Sequence, residues 1–232
     1  MLSVKALTSA YGSAQILNRV NLDVGKGEVV ALLGRNGVGK TTLLKTIMGI
    51  VAPTGGETVL DGRTIAAMRT HEIAKAGVGY VPQGRGIFGK LTVEENLRMG
   101  LRANPSSSAD IPGFVFERFP ILNERRRQVA DTMSGGQKQQ LAISRAMCGN
   151  PRVLLLDEPS EGIQPNIVKD IGVIIRNLVE TLDISVLLVE QNLGLVKSAA
   201  DRFAIMVKGE VVYGGVPAEL DDEELLQRYL SV

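Results

Sequence analysis

Residues 29–42 read Val-Val-Ala-Leu-Leu-Gly-Arg-Asn-Gly-Val-Gly-Lys-Thr-Thr, and this stretch decides the fold. The apolar run 29–33 predicts a buried strand. Gly34, Gly39, Lys40 and Thr41 then fit the phosphate-binding pattern G-x-x-x-x-G-K-[ST], with a helix expected from Lys40 onward. Glycines let consecutive backbone N–H groups turn inward around phosphates, and the helix adds its N-terminal dipole. In such a loop Lys40 reaches the β- and γ-phosphates and the Thr41 hydroxyl ligates Mg²⁺. Gly34, Asn36, Gly37, Gly39, Lys40, Thr41 and Thr42 are therefore the nucleotide-binding candidates here. A glycine-rich turn that binds nothing is the plain alternative, and the flanking strand and helix argue against it.

Two stretches downstream supply the rest of a nucleotide machine. Residues 153–159 read Val-Leu-Leu-Leu-Asp-Glu-Pro, which puts Asp157 at the carboxyl end of a parallel strand. Ligands of open α/β sheets bind at that edge. There Asp157 can hold the magnesium through water, and Glu158 is the candidate to orient and polarise an attacking water. Met-Ser-Gly-Gly-Gln at 133–137 precedes a helix, so Ser134, Gly135, Gly136 and Gln137 offer a hydroxyl and free amides as a second anion site. Ser-Gly-Gly alone is an ordinary N-cap; standing 23 residues before Asp157 gives it functional weight.

Around these motifs the chain alternates strands and helices. Strands are predicted over 2–7, 16–24, 78–81, 185–189, 203–207 and 210–213. Asp61-Gly62 marks a two-residue hairpin between 58–60 and 63–65. Thr92 and Glu95 form a capping box that opens a helix to about residue 101. The stretch 103–113 reads as a loop, and the likeliest part of the chain to be mobile. Pro165 starts a helix with Val168, Ile171, Ile175, Leu178 and Leu182 on one face, and an acidic helical tail follows Pro217. The expected fold is α/β: a phosphate-loop NTPase core with a mixed, largely parallel sheet, an antiparallel β subdomain and a small α-helical subdomain. All 232 residues form one ATPase domain, with 1–89 and 149–232 as nucleotide-binding core and 90–148 as helical subdomain.

Composition narrows the class. The chain is 44% apolar and 22% charged, with a net charge of +1, so no overall field recruits nucleic acid. Arg125-Arg126-Arg127 reads as a solvated helix face. Cys148 is the only cysteine, which excludes a disulfide framework and points to a reducing cytosol. No apolar run spans a membrane, and the N-terminus reads as a strand rather than a signal peptide. At a membrane the chain would work as a peripheral subunit on the cytoplasmic face, held by another protein.

Together, the loop 34–41, Gln83, the 133–137 segment and 154–159 resemble the nucleotide-binding subunit of an ATP-binding cassette transporter, across essentially the whole chain. In that family two subunits sandwich two ATPs, so the resemblance implies that Ser134, Gly135 and Gly136 act in trans. It places Tyr11 on adenine, gives Gln83 a part in metal and water contacts, and puts residues 92–99 beside a permease. It also implies membrane permease subunits, an extracytoplasmic substrate-binding protein and a second ATPase as partners, the last more often a different chain than a copy. Two positions depart from the pattern. Gln191 stands where the family carries a switch histidine; it can hydrogen-bond the γ-phosphate but cannot carry a proton charge. The only histidine, His71, reads as a surface residue. In Ser160-Glu161-Gly162-Ile163 the usual aspartate is missing.

Glu161–Pro165 and Val189–Gln191 resemble the ATPases of branched-chain amino acid uptake, a group that includes urea and short-amide importers. Residues 79–85, 111–114 and 168–172 lean toward the urea type. A DNA-associated cassette ATPase normally inserts coiled coil or zinc ligands between phosphate loop and signature, whereas here Lys40 and Ser134 are 94 residues apart without either. A translation or resistance protein would carry two cassettes. A non-hydrolysing regulator remains the other alternative, against which stand the intact Lys40, Asp157 and Glu158.

Overall fold

A computed structural model describes residues 1–103 and 110–230. The chain opens with an antiparallel pair, β1 (Leu2–Tyr11) and β2 (Ala14–Val24), and then runs through β3 (Val29–Leu33) into α1 (Lys40–Ile47). It returns through β4 (Pro53–Leu60), β5 (Arg63–Thr64), α2 (Thr70–Lys75) and β6 (Val78–Val81). Between β4 and β5, Asp61 and Gly62 have φ of 49° and 79°, the two left-handed residues that a type I′ hairpin needs. A run of helices follows: α3 (Val93–Leu101), α4 (Gly113–Arg118), α5 (Pro120–Glu124) and α6 (Gly135–Cys148). Alternation then resumes with β7 (Val153–Asp157), α7 (Pro165–Leu182), β8 (Ser185–Glu190), α8 (Leu193–Ala199), β9 (Arg202–Val207), β10 (Glu210–Gly215) and α9 (Glu223–Tyr229).

Two sheets result. One is antiparallel in the order β2-β1-β4-β5; the other runs β10-β9-β3-β8-β7-β6, parallel except for β10 at its edge. The mixed α/β architecture expected from the sequence is present. Every residue of β3, β7 and β8 is buried, which is why β3 reads as an unbroken apolar run and why β7 and β8 are apolar except at Asp157, Ser185 and Glu190. Side chains alternate between faces: Leu154 and Leu156 pack toward α6 and α7, while Val153 and Leu155 pack toward α1 and the antiparallel sheet. Each such Leu contributes about 1.5–3 kcal/mol by leaving water. Register levels the strand ends, with Leu33 opposite Glu190, Asp157 opposite Val189 and Val81 opposite Leu156. The loops after β3, β8, β7 and β6 therefore leave one edge side by side.

Local signals were realised where they were strong. Thr92 and Glu95 cap α3 reciprocally, the Thr92 N–H donating to Glu95 Oε2 at 2.7 Å and the Glu95 N–H to Thr92 Oγ1 at 3.2 Å. His71 lies exposed on α2. The arginine run departs from expectation. Arg125–Arg127 form a turn after α5, and Arg126 pairs with Glu94 at 3.3 Å and lies 4.6 Å over the Phe116 ring. A guanidinium that latches two segments is not a solvated helix face. Of the loop expected at 103–113, residues 104–109 lie outside the described residues. Among the described residues no helix is long and apolar enough to cross a membrane.

Candidate nucleotide site

The loop from Gly34 to Gly39 turns tightly under steric constraint. A Cβ on Gly34 would lie 2.5 Å from the Met206 carbonyl oxygen, and Gly39 has φ of 113°, where a side chain is strained. Gly39 caps α1 without a side-chain acceptor, so the first-turn amides stay free to meet an anion. Lys40 arches back along the loop, its Nζ donating to the carbonyls of Gly34 at 2.7 Å and Arg35 at 3.0 Å. The same ammonium lies 3.2 Å from Glu158 Oε1.

From β7, two strands across from β3, Asp157 faces α1. Its Oδ1 accepts the Thr41 hydroxyl at 3.0 Å and its Oδ2 accepts the Tyr80 hydroxyl at 3.1 Å. Burial pushes the Asp157 pKa up, against the two hydroxyl bonds, and burial beside Asp157 raises Tyr80 as well. Thr41 and Asp157 thus bring hard oxygen donors together. Among the described residues no three His, Cys, Asp or Glu side chains cluster as a metal cage. That donor set suits Mg²⁺, which is held by one or two protein oxygens together with substrate phosphates.

Glu158 has φ of 47°, a left-handed conformation in which its N–H donates to Val189 O at 2.9 Å. Strain of this kind costs about 1 kcal/mol or more. Besides Lys40, Glu158 accepts Gln191 Nε2 at 2.8 Å and Gln83 Nε2 at 3.5 Å. Gln191 Nε2 also donates to Asn36 Oδ1. Asn36, Gly37, Gly39, Lys40, Thr41, Thr42, Gln83 and Glu158, with Ile16, line a cavity of about 200 Å³.

The other candidates stand apart from it. Tyr11 ends β1, half exposed, and does not line the cavity. Ser134 caps α6 reciprocally with Gln137: the Gln137 N–H reaches Ser134 Oγ at 3.3 Å and the Ser134 N–H reaches Gln137 Oε1 at 3.1 Å. With Gly135 and Gly136, this segment does not line the cavity within one chain. Sequence reasoning missed Ile16 and Tyr80. Tyr80 carried a weak signal, as the one aromatic in an apolar strand.

Comparison with known proteins matches the ABC transporter family over residues 17–161. The chain belongs to that family. The ATP-binding protein BraG of Pseudomonas aeruginosa, named for high-affinity branched-chain amino acid transport, is 40% identical over 221 residues, covering 95% of this chain and 94% of BraG. The lipopolysaccharide export ATP-binding protein LptB of Escherichia coli K12 is 35% identical over 235 residues, covering 99% of this chain and 97% of LptB. The dimeric structure of MJ0796, a bacterial ABC transporter cassette, superposes with a TM-score of 0.81 at 25% identity, covering 94% of this chain and 99% of that one. The chain is thus an ABC ATPase, binding ATP and coupling its hydrolysis to transport.

Proposed function

We propose that this ABC ATPase powers an importer for branched-chain amino acids, with Glu158 as the general base of ATP hydrolysis. The observation that supports this best is the convergence of Lys40, Gln83 and Gln191 on Glu158 at the rim of the phosphate-loop cavity. In this reading the phosphates take the loop amides and draw Lys40 off the Gly34 and Arg35 carbonyls. Glu158, released from Lys40, accepts a proton from water as its oxygen bonds to the γ-phosphorus. The bond from γ-phosphorus to the bridging oxygen breaks, and ADP and phosphate leave. Gln83 and Gln191 orient Glu158 and the water, and Gln191 does so without a change of charge. Thr41, Asp157 and Gln83 would hold Mg²⁺, which neutralises charge developing on the phosphates.

Tyr11, at the exposed end of β1, would stack on adenine. Ser134, Gly135, Gly136 and Gln137 would close over the ATP held by a second ATPase subunit, in a heterodimer by preference. The dimeric cassette among the structural relatives supports pairing. The helical subdomain at 90–148 would face the membrane permease subunits, placing the chain peripherally on the cytoplasmic side, with an extracytoplasmic binding protein delivering cargo to the permease. A groove of about 330 Å³ lined by Phe88, Met99 and Arg145, with both apolar side chains more than two-fifths exposed, suits that contact.

For the cargo, the 40% likeness to BraG favours branched-chain amino acids over the urea or short-amide class toward which residues 79–85, 111–114 and 168–172 lean. The test is uptake of labelled leucine and labelled urea in a strain lacking this chain, complemented with wild type or Lys40→Ala. Leucine uptake lost and restored only by wild type is the expected result. Urea uptake behaving so would move the cargo to that class, and survival of both would refute the importer.

A further inference from the structure

Glu190 ends β8 with only 1% of its surface exposed, in a strand that is otherwise apolar or small. Among the described residues it forms no ion pair; three backbone amides donate to it, and the Ser160 side chain bonds to it as well. Oε1 accepts the Ser160 N–H at 2.9 Å, and Oε2 accepts the N–H groups of Gln191 at 3.0 Å and Asn192 at 3.1 Å. Burying a carboxylate is costly unless it is hydrogen-bonded, so a strand end that needed only filling would favour another valine or leucine. Here one rigid head group ties together two loops that are 30 residues apart in sequence. One carries Glu158 two residues before Ser160. The other carries Gln191, whose side chain meets Glu158 and Asn36.

The surroundings make that tie stiff. Asn192 Oδ1 accepts the Leu195 N–H at 3.0 Å, which roots the second loop in α8. On the far side of the first loop, Arg85 donates to the Glu161 carbonyl at 3.3 Å and to Gln139 Oε1 of α6 at 3.3 Å. The segment after Glu158 is therefore held from both flanks; beside the Glu158 N–H to Val189 O bond and the Gln191–Glu158 side-chain contact, the Glu190 carboxylate ties the Ser160 backbone to the Gln191 backbone.

The geometry points to Glu190 as a positioning residue for ATP hydrolysis, whose carboxylate locks the Gln191 backbone to the loop behind Glu158 so that the Gln191 amide meets the Glu158 carboxylate. This rests on the reading of Glu158 and Gln191 given above. Glu190→Gln is nearly isosteric. Its one remaining oxygen can keep the amides of Gln191 and Asn192, while its NH₂ must face the Ser160 N–H, donor against donor.

The experiment is steady-state ATP hydrolysis by the full chain as Glu190→Gln, Gln191→Ala, the double variant and Glu158→Gln. A misplacement approaching 1 Å at a reacting group costs up to about 100-fold, so Glu190→Gln should lower kcat by about 10- to 100-fold and leave KM for ATP within about 3-fold. Its melting temperature should stay within a few degrees of wild type. Adding Glu190→Gln to Gln191→Ala should cost less than about 3-fold more, because both act through one contact. A wild-type kcat in Glu190→Gln or in Gln191→Ala, or losses that multiply in the double variant, would overturn the proposal. If Glu190→Gln does not fold, Glu190→Asp, which keeps the acceptors one methylene further away, carries the same kcat and non-additivity test. Normal turnover by Glu158→Gln would instead sink the general-base reading, a separate failure.

Discussion

Without nucleotide, Lys40 and Glu158 are each other's counter-charge, and the two sides of that pair are unequally backed. Lys40 is 4% exposed and Glu158 10%, 3.2 Å apart. Lys40→Met leaves Glu158 an almost buried anion, with Gln191 at 2.8 Å and the long Gln83 contact at 3.5 Å. Removing one partner of a buried pair costs about 3–5 kcal/mol, and the Gln191 donor places this case near the lower end, at about 3 kcal/mol. Glu158→Gln leaves Lys40 the carbonyls of Gly34 and Arg35, and the new amide oxygen can still accept from it. The cost there is about 1 kcal/mol, a single charged hydrogen bond weakened. For a chain of this size 1 kcal/mol is worth about 2–4 °C, so Lys40→Met should melt about 6–12 °C below wild type and Glu158→Gln only about 2–4 °C below. The double variant should be more stable than the sum of the singles implies, by about 1–2 kcal/mol. Differential scanning calorimetry of the nucleotide-free chain reads all four. Equal losses in the two singles, or strict additivity, would refute the asymmetric pairing.

Other outcomes follow from single features. Burial raises the folded pKa of Asp157 above its unfolded value of about 3.9, so stability from this group is full below that value and is lost as pH rises through the folded pKa. Asp157→Asn should therefore melt above wild type at neutral pH, with the gap closing as pH falls toward 4, while MgATP turnover is lost; a thermal series from pH 4 to 8 checks both. Asp183 caps α7 at φ 54° with a solvent-exposed ion pair to Lys26, so Asp183→Gly should gain about 0.5–1 kcal/mol in urea titration. Burial pushes the Cys148 thiol up to about 12, so Ellman's reagent should label the folded chain very slowly and the urea-unfolded chain at once.

The parts of the site legible in the sequence are those whose chemistry is local. The turn from Gly34 to Thr41, the Thr92–Glu95 cap and the Asp61-Gly62 hairpin depend on neighbours a few residues away, and residue type alone specifies them. Asp157 was legible because four apolar residues before it imply a buried strand and hence a strand end. Contacts that join distant loops were not. Tyr80 meets Asp157 across 77 residues, and nothing near Tyr80 marks its hydroxyl as bound. Arg126 reads as one of three solvated arginines until α3 brings Glu94 beside it. Glu190 sits in a Val-Glu-Gln triplet that shows family likeness, yet its three amide partners come from strand register, which no periodicity reports. Gln191 was placed by resemblance, and its bond to Glu158 is what the structure adds.

Single-turnover chemistry tests most directly whether Glu158 is the base that activates water for ATP cleavage. Wild type and Glu158→Gln would be mixed in excess over [α-³²P]ATP with Mg²⁺ and quenched over time, and the protein-bound nucleotide separated by chromatography. The expected result is ADP from wild type and uncleaved, retained ATP from Glu158→Gln, with ATP affinity preserved. Cleavage of ATP by Glu158→Gln at the wild-type rate would contradict it.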